Sequence, residues 1–365
     1  MEERAAVSVR ASVSPYLVSL PIDFLLLGGG SIVLFILLPY LYEGPMTPRL
    51  LTASLWLTWL GNWPHNAATN YRLYSSLSAA RQYPFTAVGV PLLVLLGALA
   101  SFAEPERVAP YFIKLTLSWI LYHYCGQSIG VSLLYARRSG HQPSSLERWA
   151  LLSFFYSTFF CRSLWSETSN RSLQYFGVTY PRFGVPVFFS YVAAAWCYAS
   201  IAVFLYCLAR GCARTRRPPP LLYLLPGVTH YVWFFVAGPQ DPWVQFVPFF
   251  HGLQYLLIAW AMQIKQDADR RGRAATPWFV ALRSLRWYGV NLAVGGCLFW
   301  VIPRLVTSVG GVPLAFASAI VFAAVQLQHS FVDGVIWKLR TRSVVSPLLV
   351  NVPALVRADK RKVLA

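Results

Sequence analysis

Charge is scarce in this 365-residue chain. Only 12% of its residues are charged, where a soluble domain carries roughly 25%. That shortage excludes an ordinary water-soluble fold. Acidic residues are the scarcest, 13 in all, and no apolar segment holds a Glu-x-x-His pair, which excludes a carboxylate-rich diiron bundle. Cysteine is sparse and scattered (Cys125, Cys161, Cys197, Cys207, Cys212, Cys297) with no C-x-x-C spacing. Neither a thiolate metal site nor a disulfide framework follows from it. Lys114 is the only lysine inside an apolar run away from its basic edge, and it lies in the first turns, so a Schiff-base pigment is disfavoured. Internal repeats, low-complexity tracts and soluble linkers are missing. The N-terminus shows no apolar core followed by a small-residue cleavage site, so the first apolar run reads as a retained helix.

What fills the chain is apolar: 56% hydrophobic residues, with 14 Trp and 20 Tyr suited to interfacial aromatic belts. Hydropathy marks about ten spans of roughly 20 residues, near 23–43, 50–71, 84–103, 109–136, 148–164, 185–209, 219–238, 243–264, 278–303 and 311–337. Proline-flanked turns separate them at 216–220, 238–242 and 310–313. The net charge of +18 sits in the short loops, which favours a topology signal and anionic lipid over nucleic acid. With the N-terminus in the cytoplasm, 24 of the 31 basic residues fall on the cytoplasmic side. The expected fold is all-α: one polytopic membrane bundle over 1–365, both termini cytoplasmic, with a short leading segment 1–15 and a basic tail 338–365. A bacterial inner (plasma) membrane is the expected location. The stretch 165–184 is the longest external loop and reads as plain connection, with a cap over an entrance as the alternative.

Five of the six histidines, His65, His123, His230, His251 and His329, lie in five different spans. An imidazole in a bilayer is costly and tends to be kept for a function. Counted from the basic residues that close each span, the five lie at depths of roughly 10 to 21 Å, so one shared site is geometrically allowed. His141, in a basic loop, reads as ordinary surface. Four histidines have a hydrogen-bonding residue at i+4, on the same helix face: His65 has Thr69, His123 has Gln127, His251 has Tyr255 and His329 has Asp333. Metal-bound histidines commonly donate their second nitrogen to such a partner. Thr69, Gln127 and Tyr255 are therefore expected behind the ligands. Asp333 is expected as an anchor behind His329 or as a base, and Asp in a span needs a partner. His230 has Phe234 at that position and ranks as an accessory. Four neutral imidazoles suit Fe(II), Cu or Zn, with a position open for O₂ or a lipophilic substrate.

The motifs GNWPHNAAT (His65), LYHYCGQ (His123), FFHGLQYL (His251) and QHSFVD (His329) resemble, in order, those of the Brp/Blh-type membrane β-carotene dioxygenases. The resemblance covers these four short motifs. It implies a multi-span protein whose His65, His123, His251 and His329 hold a non-haem iron that cleaves a polyene with O₂. The pattern departs from the family at Thr69, where the family has a carboxylate, and at Tyr255, near the family's second histidine of that motif. The final His-to-Asp spacing is one residue shorter, and His230 is additional. Two other classes stay open: a haem b electron-transfer protein, betrayed by a Soret band, and a transporter or scaffold with histidines along a proton or ligand path.

Overall fold

The computed structural model describes residues 14–41, 48–168, 172–236, 242–272 and 275–356. The first thirteen residues, most of the 238–242 turn, Arg171, Arg273 and the tail beyond 356 lie outside the described residues. A long helix occupies each of the ten expected segments: α1 (20–41), α2 (Pro48–Tyr74), α3 (Phe85–Ala103), α4 (Ala109–Arg138), α5 (Ser145–Glu167), α6 (Val187–Thr215), α7 (Leu221–Val236), α8 (Val247–Arg271), α9 (Pro277–Gly310) and α10 (Leu314–Ile336). Among the described residues six helices are long and apolar enough to cross a membrane: α1, α3, α6, α8 (its span beginning at Trp243), α9 and α10. Helix α7 is apolar but shorter. Helices α2 and α4 are long and carry the polar motifs, which lowers their hydropathy.

The expected plain loop between α5 and α6 is instead partly ordered. A two-stranded antiparallel hairpin, β1 (Leu173–Tyr175) and β2 (Val178–Tyr180), turns at Phe176 and Gly177, both with positive φ, as tight hairpins require. Val178 is buried in a cluster that includes Ile113 of α4 and Ala319, Ile320 and Ala323 of α10. Lys114 Nζ binds both Glu167 carboxylate oxygens at 2.7 and 2.8 Å and the Pro181 carbonyl at 2.7 Å. The span lysine is thus consumed by an ion pair that fastens the hairpin. His141 also departs from the sequence reading. Its Nε2 lies 2.7 Å from Glu147 Oε1, which also accepts from the Tyr223 hydroxyl at 2.9 Å. A buried carboxylate needs such partners, and the short loop places His141 within reach.

Helix α2 is central, packing on α8, α9 and α10. Two close backbone approaches hold it there. A Cβ on Gly252 of α8 would lie 2.6 Å from the Gly61 carbonyl oxygen of α2, and one on Gly295 of α9 would lie 2.7 Å from the Trp63 backbone. Glycine at such crossings lets helices touch where hydrophobic association is weak. Pro64 interrupts the ladder inside α2 and leaves the Leu60 carbonyl without its helical donor. The Tyr288 hydroxyl of α9 supplies one, at 2.8 Å. Near the chain ends, Asp23 of α1 accepts from the Leu17 and Val18 amides and the Tyr135 hydroxyl, at 2.6, 3.0 and 2.7 Å. Arg138 of α4 binds the carbonyls of Tyr16 and Leu348, which joins the two terminal segments to one helix.

Gly252→Ala is expected to push α8 from α2 and to destabilise the bundle by about 1–3 kcal/mol, read as a lower midpoint of thermal unfolding in detergent. Gly289→Ala, where a Cβ meets nothing within 4 Å, is the control and should leave the midpoint unchanged or raised.

Candidate metal centre

The crossing of α2 and α8 sets the site. Gly61 lies one turn before His65, and Gly252 directly follows His251, so the contact brings these two rings to 4.9 Å between centroids. A reciprocal amide pair fixes the register of α2 on α10: Asn70 Nδ2 donates to Gln328 Oε1 at 3.1 Å, and Gln328 Nε2 to Asn70 Oδ1 at 2.8 Å. His329 adjoins Gln328, and its ring meets His65 edge-on at 4.3 Å. Helix α4 brings the fourth imidazole. His123 Nε2 lies 3.1 Å from His251 Nε2 and 3.2 Å from His329 Nε2.

All four histidines ranked first from sequence therefore meet. The tightest group is nevertheless His65, His123, His329 and Asp333, whose ligand atoms all lie within 4.8 Å of one another. His251 stands at its edge through His123. Asp333 does not stand behind the histidines as an anchor. Its Oδ2 lies 3.5 Å from His329 Nε2, 3.8 Å from His65 Nε2 and 3.9 Å from His123 Nε2, so the carboxylate joins the nitrogens. One turn of α10 after His329 puts it on the same face, and that face points at the cluster.

The residues expected to support the imidazoles support the carboxylate and the backbone instead. Trp337 Nε1 donates to the Tyr255 oxygen at 3.1 Å. The Thr69 hydroxyl lies 2.7 Å from that oxygen and 2.9 Å from Asp333 Oδ1. An indole N–H only donates and a carboxylate only accepts. The contacts therefore form one chain, from Trp337 through Tyr255 and Thr69 to Asp333, with Thr69 donating to the carboxylate. Gln127 donates to the His251 carbonyl at 2.9 Å and to Gln254 at 3.3 Å, not to His123. Rings cover two imidazoles: Tyr255 stacks on His65 at 4.2 Å, and Tyr124 lies over His251 at 4.0 Å.

His230 is not in the cluster. Its Nε2 lies 3.6 Å from Cys125 Sγ, between Phe155 and Phe234. Sequence reasoning missed Trp337, Tyr124, Gln254 and the Asn70–Gln328 pair. Asn70 and Gln328 carried a signal, as amides within apolar runs. Trp337, the last residue of the expected tenth span and the one after α10, carried none.

The arrangement fits a metal ion. Ligands about 2.1 Å from a common ion stand roughly 3.0–3.4 Å apart, and the closest nitrogen pairs are 3.1 and 3.2 Å apart. An N–H···N hydrogen bond has a similar length, but it leaves His65 unexplained: both its ring nitrogens are buried without a hydrogen-bond partner, and Nε2 faces the cluster. The Nδ1 atoms of His251 and His329 are likewise unpartnered, unlike the usual metal-bound histidine. Imidazoles with one carboxylate are borderline ligands that suit Fe(II), Zn or Cu. No protein-family model matches the chain, and neither a curated protein nor a solved structure is similar to it.

Thr69→Val removes the hydroxyl at nearly constant volume. It is expected to destabilise the protein by about 1–3 kcal/mol and to weaken metal retention, measured by competition with a chelator. Thr69→Ser restores the hydroxyl and should recover retention.

Proposed function

We propose that this protein is a membrane metalloenzyme whose histidine–aspartate cluster holds one non-haem iron and acts with O₂ on a lipophilic substrate. The observation that carries the reading is the convergence of three imidazoles and one carboxylate, from α2, α4 and α10, within 4.8 Å. A mixed set of histidines and one carboxylate with open positions is the ligand chemistry of non-haem Fe(II) oxygenases. When bound, iron would supply the activation of O₂. His65, His123, His329 and Asp333 would hold it, with His251 as a further nitrogen beside His123. Asp333 would offset part of the ion's charge in an apolar surrounding, where an uncompensated charge is strongly disfavoured. Tyr255 and Tyr124 shield His65 and His251 from water.

The bilayer setting supports a lipophilic substrate. Two of the six helices long and apolar enough to cross a membrane, α8 and α10, carry His251, His329 and Asp333. In this reading all ten long helices span, and their even number leaves both termini on the cytoplasmic side, as the excess of basic residues there requires. A carotenoid or other isoprenoid, or an acyl lipid, is the substrate class proposed from the motif resemblance and this setting. Haem b is less well supported: the nitrogens converge on one point, and two pairs are closer than the roughly 4 Å that axial ligands keep across a haem iron.

Purified in detergent without chelators, the protein is expected to carry about one iron per chain by elemental analysis and to show no Soret band. His329→Ala and Asp333→Ala should lose the metal, whereas His230→Ala should keep it. Active protein free of metal would overturn the proposal.

A further inference from the structure

The centre is closed on most sides. The side chains of His65 and His329 are 1% exposed, and His251 is equally buried, whereas His123 and Asp333 each keep 8%. These two are the least buried members of the centre.

Both sit beside an interruption in the side-chain cover. On α4, His123 follows Trp119 and Tyr122. Trp119 stacks on Phe331 of α10 at 4.7 Å and 24°, and Tyr122 stacks on Tyr156 of α5 at 5.8 Å and 25°. These contacts tie α4 to α10 and to α5. One helical step further, the side chains stop. Gly126 follows Tyr122 at i+4, and Gly334 follows Phe331 at i+3, positions that share a helix face. Both glycines are exposed, and a Cβ on either would meet no heavy atom within 4 Å. Gly126 also lies three residues after His123, and Gly334 directly follows Asp333. The result is an exposed surface of bare backbone and aromatic rings beside the two least buried members of the centre. Its residues, Trp119, Tyr122, Gly126, Phe331 and Gly334, carry no charge. Glycines in similarly open surroundings elsewhere, such as Gly211 and Gly289, adjoin no polar cluster.

We infer that the bare backbone at Gly126 and Gly334 forms a notch, a lateral entrance through which a single hydrocarbon chain of a lipid-soluble substrate reaches the centre from the bilayer. The inference rests on the metal-centre reading and adds a route and the residues that gate it. The chain would occupy the space left by Gly126 and Gly334, under the Trp119–Phe331 and Tyr122–Tyr156 bridges. An uncharged, aromatic-walled cleft suits an apolar chain and offers nothing to a hydrated polar one.

The test uses the full chain in phospholipid vesicles, loaded with Fe(II) and challenged with two chelators: a bipyridine bearing alkyl chains, which partitions into the bilayer, and EDTA, which stays in water. The alkyl chelator is expected to strip the ion faster than EDTA. Gly126→Trp, and independently Gly334→Leu, should slow that stripping about tenfold by filling the gate, with the iron content of the loaded protein unchanged. Gly289→Trp, on the far helix α9, should not. Unchanged stripping in both notch variants, equal slowing by Gly289→Trp, or faster stripping by EDTA would overturn the entrance while leaving the metal centre standing. A protein that takes up no metal would overturn the proposed function and the entrance with it.

Discussion

At Gly61 and Gly252 the backbones of α2 and α8 touch, with no room for even a methyl group between them. In a bundle surrounded by lipid, apolar side chains gain little by leaving one apolar medium for another, so close van der Waals approach and polar contacts hold helices together. The glycine crossing supplies the first. It also sits one turn from His65 and one residue from His251, so the same contact that stabilises the bundle sets the spacing of two imidazoles. The Gly295–Trp63 approach and the Tyr288 bond to the carbonyl freed by Pro64 hold the other side of α2. The centre is thereby built on rigid helices.

The second constraint is electrostatic. Asp333 is nearly buried among imidazoles, and an isolated carboxylate there would be strongly disfavoured. Two features make it tolerable. The chain of contacts from Trp337 through Tyr255 to Thr69 delivers a hydroxyl donor to one carboxylate oxygen. The other oxygen faces three ring nitrogens, where a bound cation would complete its balance. The same chain ties α10 to α2 and α8 at the level of the site, so polar satisfaction and helix register are one arrangement.

Much of this was legible in the sequence. The ten helical segments followed from apolar runs and proline-flanked turns. The four clustered histidines followed from depth, from a polar neighbour at i+4 and from motif order. His230 was separable because Phe234, not a polar group, stands one turn on. Less legible was what each i+4 partner would do. Helical periodicity places Thr69, Gln127 and Tyr255 on the face of their histidine, but a shared face does not decide whom a side chain bonds. Thr69 turned to Asp333 and Tyr255 to Thr69, Gln127 turned to the His251 carbonyl, and Asp333 moved from a supporting position to the cluster. Likewise the 165–184 stretch looked like plain connection, because the hairpin depends on Lys114, Glu167 and a buried Val178, which are distant in sequence.

By itself the sequence determined an all-helical chain suited to a membrane and the candidate ligands, because hydropathy and helical period are local properties of neighbouring residues. Only the tertiary structure decided that three histidines and a carboxylate from three helices lie within 4.8 Å with His251 beside His123, and that bare backbone is exposed near His123 and Asp333. Those facts depend on which helices cross and at what register. Contacts between residues hundreds of positions apart, such as Gly61 with Gly252 and Asn70 with Gln328, set both, and no local pattern encodes them.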